Sequence, residues 1–194
     1  MGAAKPPNAP LTEEQILAAN VGTPVVLNGT IDLRPYDPHW PAMYATLADR
    51  IRAALGPRIL LLEHVGSTSV PGLSAKPVID IVLAVAESAD ESAYVPALEG
   101  LGFVLKIREP GWFEHRLLKS SAAEINLHVF SDGCEEIGRL LAFRDWLRTH
   151  DDDRKLYERT KQALAARTWK YMQNYADAKS EIVSEILERA LRPA

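Results

Sequence analysis

The chain has 194 residues, 47% hydrophobic and 25% charged, a globular balance that excludes a disordered chain. A net charge of −4 argues against broad nucleic-acid binding, which leaves a basic footprint. A single cysteine, Cys134, excludes an internal disulfide and a cysteine-rich zinc cluster.

Residues 1–10 hold three prolines and few large apolar groups, which predicts a loose tail. The N-terminus lacks the charged-then-apolar order of a signal peptide, and no apolar run reaches membrane-helix length, so we expect a cytoplasmic protein. Thr12-Glu13-Glu14-Gln15 is a capping box opening a short helix to Asn20. Val25-Val26-Leu27 and Thr30-Ile31-Asp32-Leu33 flank Asn28-Gly29, which predicts a hairpin. Pro38 to Leu55 reads as a helix with a buried stripe of Met43, Leu47, Ile51 and Leu55, stopped by Gly56-Pro57.

Ile59 to Val65 is the first central strand. Val78 to Val85, apolar on both faces, is its neighbour in mid-sheet. A helix over Asp90 to Glu99 is followed by strands Phe103 to Ile107, Trp112 to Leu118 and Glu124 to Phe130. Beyond Asp132-Gly133 the chain turns helical. One helix spans Glu135 to Thr149. A second is capped by Asp151-Asp152-Asp153 and runs past Leu156, Leu164 and Trp169. A third covers Asn174 to Leu191. The pattern is a helix-covered mixed sheet, without the regular alternation of a doubly wound parallel fold.

The stretch from Glu63 to Val82 carries the chemistry. Gly66 lets backbone approach a ligand closely. Ser67, Thr68 and Ser69 add hydroxyls and backbone N–H groups suited to phosphate oxygens. Asp80 is a lone acid in an apolar strand, costly to bury without a metal or a cationic partner.

The run His64-Val-Gly-Ser-Thr-Ser-Val-Pro-Gly-Leu-Ser-Ala-Lys-Pro-Val-Ile-Asp-Ile81 resembles the signature of the GrpB family, a branch of the polymerase-β-like nucleotidyltransferase superfold. The resemblance extends from Ile31 to about Ile186 and takes in Asn126-Leu127-His128-Val129, Phe143 to Arg148 and the Tyr175/Lys179 pair. It implies an α+β nucleotidyltransferase-like core over 31–133, an N-terminal extension over 1–30, and a helical segment over 134–194 that closes the cleft. Gly66, Ser67, Thr68 and Ser69 would hold the triphosphate of ATP or another NTP, and Asp80 would ligate Mg²⁺.

The sequence departs from the superfold where a second acid alternates with the first, because Val82 stands there. Asn126 or His128 occupies the expected place of the third acid, with Glu124 nearby. A full two-metal mechanism is therefore not expected. His64 and His128 are candidates for proton transfer. Glu63, Glu114 and Glu124 are candidates to receive a cationic acceptor or supply a base.

Lys76 and the pairs Arg144/Arg148, Tyr157/Lys161 and Tyr175/Lys179, each pair one helical turn apart, would line the cleft with positive charge. The expected activity is Mg-ATP-dependent transfer to a small polar acceptor. Phosphoryl transfer, to a guanidino group by resemblance, is slightly favoured over nucleotidyl transfer. A nucleotide-binding module without turnover is the alternative. Cys134 is read as structural.

Overall fold

The computed structural model describes residues 10–120 and 124–192. The tail expected at 1–10 therefore lies, Pro10 apart, outside the described residues, as do residues 121–123.

Five strands form one mixed sheet: β1 (Leu61–Val65), β2 (Ile79–Val85), β3 (Phe103–Glu109), β4 (His115–Ser120) and β5 (Ile125–Ser131), in the order β1-β2-β5-β4-β3. β2 runs antiparallel to β1 and parallel to β5, so it is an inner strand, as its two apolar faces predicted. β4 runs antiparallel to both β5 and β3.

Period-two alternation sends Leu62, Ile79, Ile81, Leu83, Leu127 and Val129 to one face. There they pack against α2 (Trp40–Leu55) and α3 (Val95–Glu99). The buried stripe of α2 is Trp40, Leu47, Ala48, Ile51 and Leu55. Met43, expected in it, is 49% exposed because Trp40 fills the first-turn position instead.

The opposite face carries Val82, Ala84, Val65 and Phe130, covered by Ile137 of α4 (Glu135–Thr149). Toward one end this face opens at Asp80 and Asn126. The helices α4, α5 (Asp151–Ala165) and α7 (Ser180–Ala190) pack together through Leu147, Tyr157, Ile182 and Ile186. Val70 and Leu73, from the β1–β2 connection, are buried in the same cluster. That connection is thus wedged between sheet and helices. This mixed sheet flanked by helices, followed by a helical segment, is the architecture expected.

Several boundaries differ. Thr12 does cap α1 (Glu13–Ala19) through the reciprocal box with Gln15. The hairpin around Asn28-Gly29 does not form. Asn28 takes a positive φ of 43°, but its flanks bond elsewhere. Leu27 N–H donates to the Lys170 carbonyl at 2.8 Å and Ile31 N–H to that of Ala165 at 3.0 Å. Residue 20 bridges to Ile107, so the extension covers the β3 edge.

The 90–99 helix splits into a 3-10 turn, Glu91–Ala93, and α3. The fourth strand starts at His115, after Phe113 and Glu114 in left-handed conformations. His150, not Asp151, is the N-cap of α5, and the three aspartates lie in its first turn. α5 ends at Ala165, short of Trp169, and the last expected helix breaks at Ala178-Lys179 into α6 (Met172–Asp177) and α7.

Candidate functional site

The turn after β1 is held from both sides. Gly66 adopts φ +69° and ψ −174°, a region open only to glycine. A Cβ there would come within 2.5 Å of Asp80 Oδ2. The glycine is therefore what lets the carboxylate lie against the turn. The Gly66→Ala variant is expected to lose about 1–3 kcal/mol from backbone strain alone. It should lose more as Asp80 is displaced, and thermal melting measures the sum.

Within the 3-10 turn Ser67–Ser69 the hydroxyls have separate tasks. Thr68 is buried, donates to the Val78 carbonyl at 3.0 Å and meets His64 Nε2 at 3.0 Å. Ser69 donates to the Gly66 carbonyl at 2.6 Å. Both side chains are spent on the turn itself and do not face a ligand. Ser67 is half-buried and its hydroxyl accepts from Lys161 Nζ at 3.0 Å. The buried Tyr157 hydroxyl also hydrogen-bonds Ser67, and burial pushes its phenol up to about 12.

His64 lies on the α2 face of the sheet, stacked on Tyr44 with ring centroids 4.8 Å apart. Burial, against a weaker pull from Asp80, holds its pKa down to about 4, so it is neutral at physiological pH. It braces Thr68 on the side of the sheet opposite Asp80, and proton transfer at the carboxylate is not open to it.

Asp80 projects from β2 toward the open end of the α4 face, with 27% of its side chain exposed. In the parallel register it sits beside Asn126, whose amide donates to Oδ1 at 2.7 Å. His128 Nε2 lies 3.8 Å from the same oxygen. Among the described residues no lysine or arginine ion pair clamps the carboxylate, and Oδ2 faces Gly66. Burial pushes its pKa up, but His128, Asn126 and Lys76 outweigh burial and leave it below the ordinary aspartate value.

Val82 shares this face and is fully buried against Ile137, confirming that the alternating acid is absent. Asn126 stands beside Asp80 on the neighbouring strand and serves it as a donor.

Lysines surround this pair of features. Lys161 is 2% exposed and donates to Ser67 Oγ and to the Ser74 carbonyl. Burial, then repulsion from Lys179, brings its pKa down to about 7. Lys179 caps the start of α7, 4.6 Å over the Tyr175 ring. Lys76 is half-buried; burial lowers its pKa against the pull of Asp80 and Glu124. Lys119 on β4 pairs with Asn126 across the sheet, and burial likewise lowers its pKa. Glu124 is exposed, just ahead of β5, and its field reaches both Lys76 and Lys119.

Arg144 and Arg148 share a helical face, but that face clamps the turn. Arg144 donates to Glu63 at 2.8 Å and to the His64 carbonyl at 3.0 Å. Arg148 donates through Nε and Nη2 to the Ser69 carbonyl at 3.1 and 2.9 Å. Both also engage Asp145. Their charge fixes the Gly66–Ser69 turn from behind. Glu63 is thereby committed to Arg144, and Glu114 to Arg116 at 3.2 Å. Cys134, the N-cap of α4, makes no side-chain capping bond and is half-buried against Ile137, as a structural thiol would be.

Sequence reasoning missed one row. His115 Nδ1 meets Glu109 Oε2 at 2.7 Å, and His115 Nε2 meets His128 Nδ1 at 3.1 Å. Their alternation along β3 and β4 is visible in the sequence, but only the strand register brings them to His128.

The site so built brings together a glycine-serine turn, one carboxylate and several lysines. The chain belongs to the GrpB protein family, whose model matches residues 30–189. It is 54% identical over 183 residues to a UPF0157 protein of Halalkalibacterium halodurans, covering 94% of each chain. That share is too large to leave out the segment ahead of residue 30. It is similar to the crystal structure of conserved protein GrpB from Enterococcus faecalis, with TM-score 0.73, 30% identity, and coverage of 82% of this chain and 97% of that one. A fainter likeness, TM-score 0.44 at 16% identity over 67% of this chain and 44% of that one, is to the Cid1 poly(U) polymerase and carries no argument about chemistry. No helix among the described residues is long and apolar enough to cross a membrane.

Proposed function

We propose that this chain binds a nucleoside triphosphate, ATP or another, together with Mg²⁺, and transfers a phosphoryl or nucleotidyl group to a small polar acceptor. The observation that carries the reading is the meeting of Asp80 Oδ2 with the Gly66 turn, next to the Ser67–Lys161 contact. A cation on the carboxylate and a polyphosphate on the turn would then be neighbours.

Among the described residues no three His, Cys, Asp or Glu side chains cluster as metal ligands. Asp80 offers one carboxylate beside the turn, and Mg²⁺ carried in on phosphate oxygens needs only one or two. When bound, the ion would neutralise charge developing on the phosphate oxygens.

The chain's own groups do the rest. Lys161, Lys179 and Lys76 offset the polyphosphate charge, and Ser67 fixes its register. Arg144 and Arg148 keep the turn from moving as that charge arrives. His128, on the same face as Asp80 and 27% exposed, is placed to take the acceptor's proton. Phosphoryl transfer is slightly favoured, because Val82 leaves the two-metal arrangement of nucleotidyl transfer incomplete.

The same Val82 supports a second reading, a nucleotide-binding module without turnover. Incubation with ATP, Mg²⁺ and a panel of small amines, alcohols and guanidines separates the readings. ADP is the expected product. AMP with pyrophosphate makes it a nucleotidyltransferase, and tight binding with neither product makes it the module. No ATP binding at all contradicts both.

A further inference from the structure

Lys119 lies on the far side of Asp80 from the Gly66 turn. The register pairs Asp80 with Asn126, and Asn126 with Lys119. Residues paired in this way share a face, so the three stand in one row across β2, β5 and β4. At about 4.8 Å per strand, Lys119 is roughly 10 Å of backbone from Asp80. The turn follows β1, on the other side of β2. The carboxylate is divided the same way, with Oδ2 toward Gly66 and Oδ1 accepting from Asn126 at 2.7 Å.

Like charges gather on this side. Lys179 and Lys76 repel each other, as do Lys76 and Lys119, and Lys106 on β3 adds to the field at Lys119. Among the described residues none of Lys76, Lys119 and Lys179 meets a carboxylate in an ion pair. Arg108, Arg116, Arg139, Arg144 and Arg189 all do. The pull of Glu124 reaches Lys76 and Lys119 without closing on either. In a chain of net charge −4, cations massed without counter-charges raise the local concentration of an anionic ligand. Lys119 is exposed and open to one. Leu117, buried and paired with His128, gives the neighbouring row an apolar floor.

In phosphoryl and nucleotidyl transfer the attacking and departing oxygens lie roughly in line across the phosphorus. With the polyphosphate on the Gly66 turn, the acceptor approaches from the Asn126 side. We propose that the acceptor carries an anionic group of its own, a carboxylate or a phosphate, and that Lys119 holds it, with Lys76 between that group and the polyphosphate. The proposal deepens the transfer reading above and rests on it for the acceptor's direction of approach. Lys119 is then a specificity-determining residue that reads the end of the acceptor remote from its attacking atom. A guanidino compound fits when its other end is anionic, and a purely cationic one is repelled.

Two measurements test this. The first needs no turnover. Protein with ¹³C-labelled lysines, saturated with Mg²⁺ and a non-hydrolysable ATP analogue, is titrated with sodium phosphate and separately with sodium acetate, at ionic strength fixed by chloride. The Lys119 ε-methylene signal, assigned by Lys119→Met, should shift saturably, and the tighter of the two anions names the group. Lys119→Met should weaken that binding, followed at Lys76, about tenfold. Glu124→Gln, an exposed change that removes the competing acid, should tighten it about two- to fivefold.

The second compares acceptors that differ in the anionic group: serine with ethanolamine, arginine with agmatine, glycerol 3-phosphate with glycerol. The anionic member of a pair that turns over should have a kcat/KM at least tenfold higher. Lys119→Met should erase that preference through KM, and Lys119→Arg should keep part of it.

No saturable shift at Lys119 overturns the proposal whether or not any variant folds. So does displacement of the ATP analogue by phosphate, which would give the lysine to the nucleotide. A preference for the neutral members, or one that survives Lys119→Met, overturns it as well. Turnover of neutral acceptors with no shift at Lys119 removes the anion site and leaves the transfer reading. A saturable shift without turnover of any pair does the reverse.

Discussion

The Lys161→Met variant is expected to be more stable than the parent at pH 6–7 and to lose nucleotide. Lys161 is 2% exposed, and burial brings its pKa from the ordinary 10.5 to about 7. The unfolded chain binds a proton between those values and the folded chain does not, so wild-type stability rises as pH climbs from 7 toward 10.5. Below about 7 the full cost of charging a buried amine is present. At about 1.4 kcal/mol per pKa unit this is on the order of several kcal/mol.

Methionine matches the stem and removes that cost, while losing the hydrogen bonds to Ser67 and Ser74, about 1 kcal/mol each. The net is a gain of about 1–3 kcal/mol near neutrality that disappears by pH 10. ATP affinity should fall at least tenfold, because a cation that phosphate binding would recharge is gone. Melting curves at pH 6 and 10, with calorimetric titration of ATP, check both halves. A destabilised variant with full affinity would mean that Lys161 serves the fold alone. Such an exchange of stability for function is what a buried, desolvated amine facing a ligand cleft implies.

Asp80→Asn is the second large effect. Asparagine fills the same volume against Gly66, so the fold should hold, and melting should change by less than about 1 kcal/mol. The charge is what goes. Without it the lysines keep their attraction for polyphosphate, so metal-free ATP should bind as well or better. The Mg²⁺ dependence of binding should vanish. Turnover should fall about 10²–10³-fold or more, the scale for losing one preorganised charge contact in a transfer site. Equal turnover in Asp80→Asn and wild type would remove Asp80 from the chemistry.

The face of the sheet that carries this chemistry was legible because strands have a strict period of two. That period put Asp80 with Val82, and Asn126 with His128, on one side and the aliphatic residues of β5 on the other. What sequence could not supply was partnership. The Asn28-Gly29 turn signal was correct locally, and Asn28 does take a positive φ. Its flanks nonetheless found Ala165, Trp169 and Lys170 rather than each other. Helical spacing rightly put Arg144 and Arg148 on one face, yet spacing does not say which way that face turns. It turns to Glu63 and the Ser69 carbonyl. Thr68 and Ser69 looked like ligands because hydroxyls beside a glycine can serve phosphate or the turn itself, and here they serve the turn. His115 and Glu109 were unreadable until the β3–β4–β5 register was known.

Whether Asp80 and the Gly66 turn hold one nucleotide between metal and phosphate contacts is decided by a crystal structure of the wild-type chain with Mg²⁺ and a non-hydrolysable ATP analogue. A cation is expected on Asp80 Oδ2, with phosphate oxygens within hydrogen-bond distance of Ser67 and Lys161. A nucleotide seated elsewhere, or a triphosphate on the turn with no cation at Asp80, would contradict it.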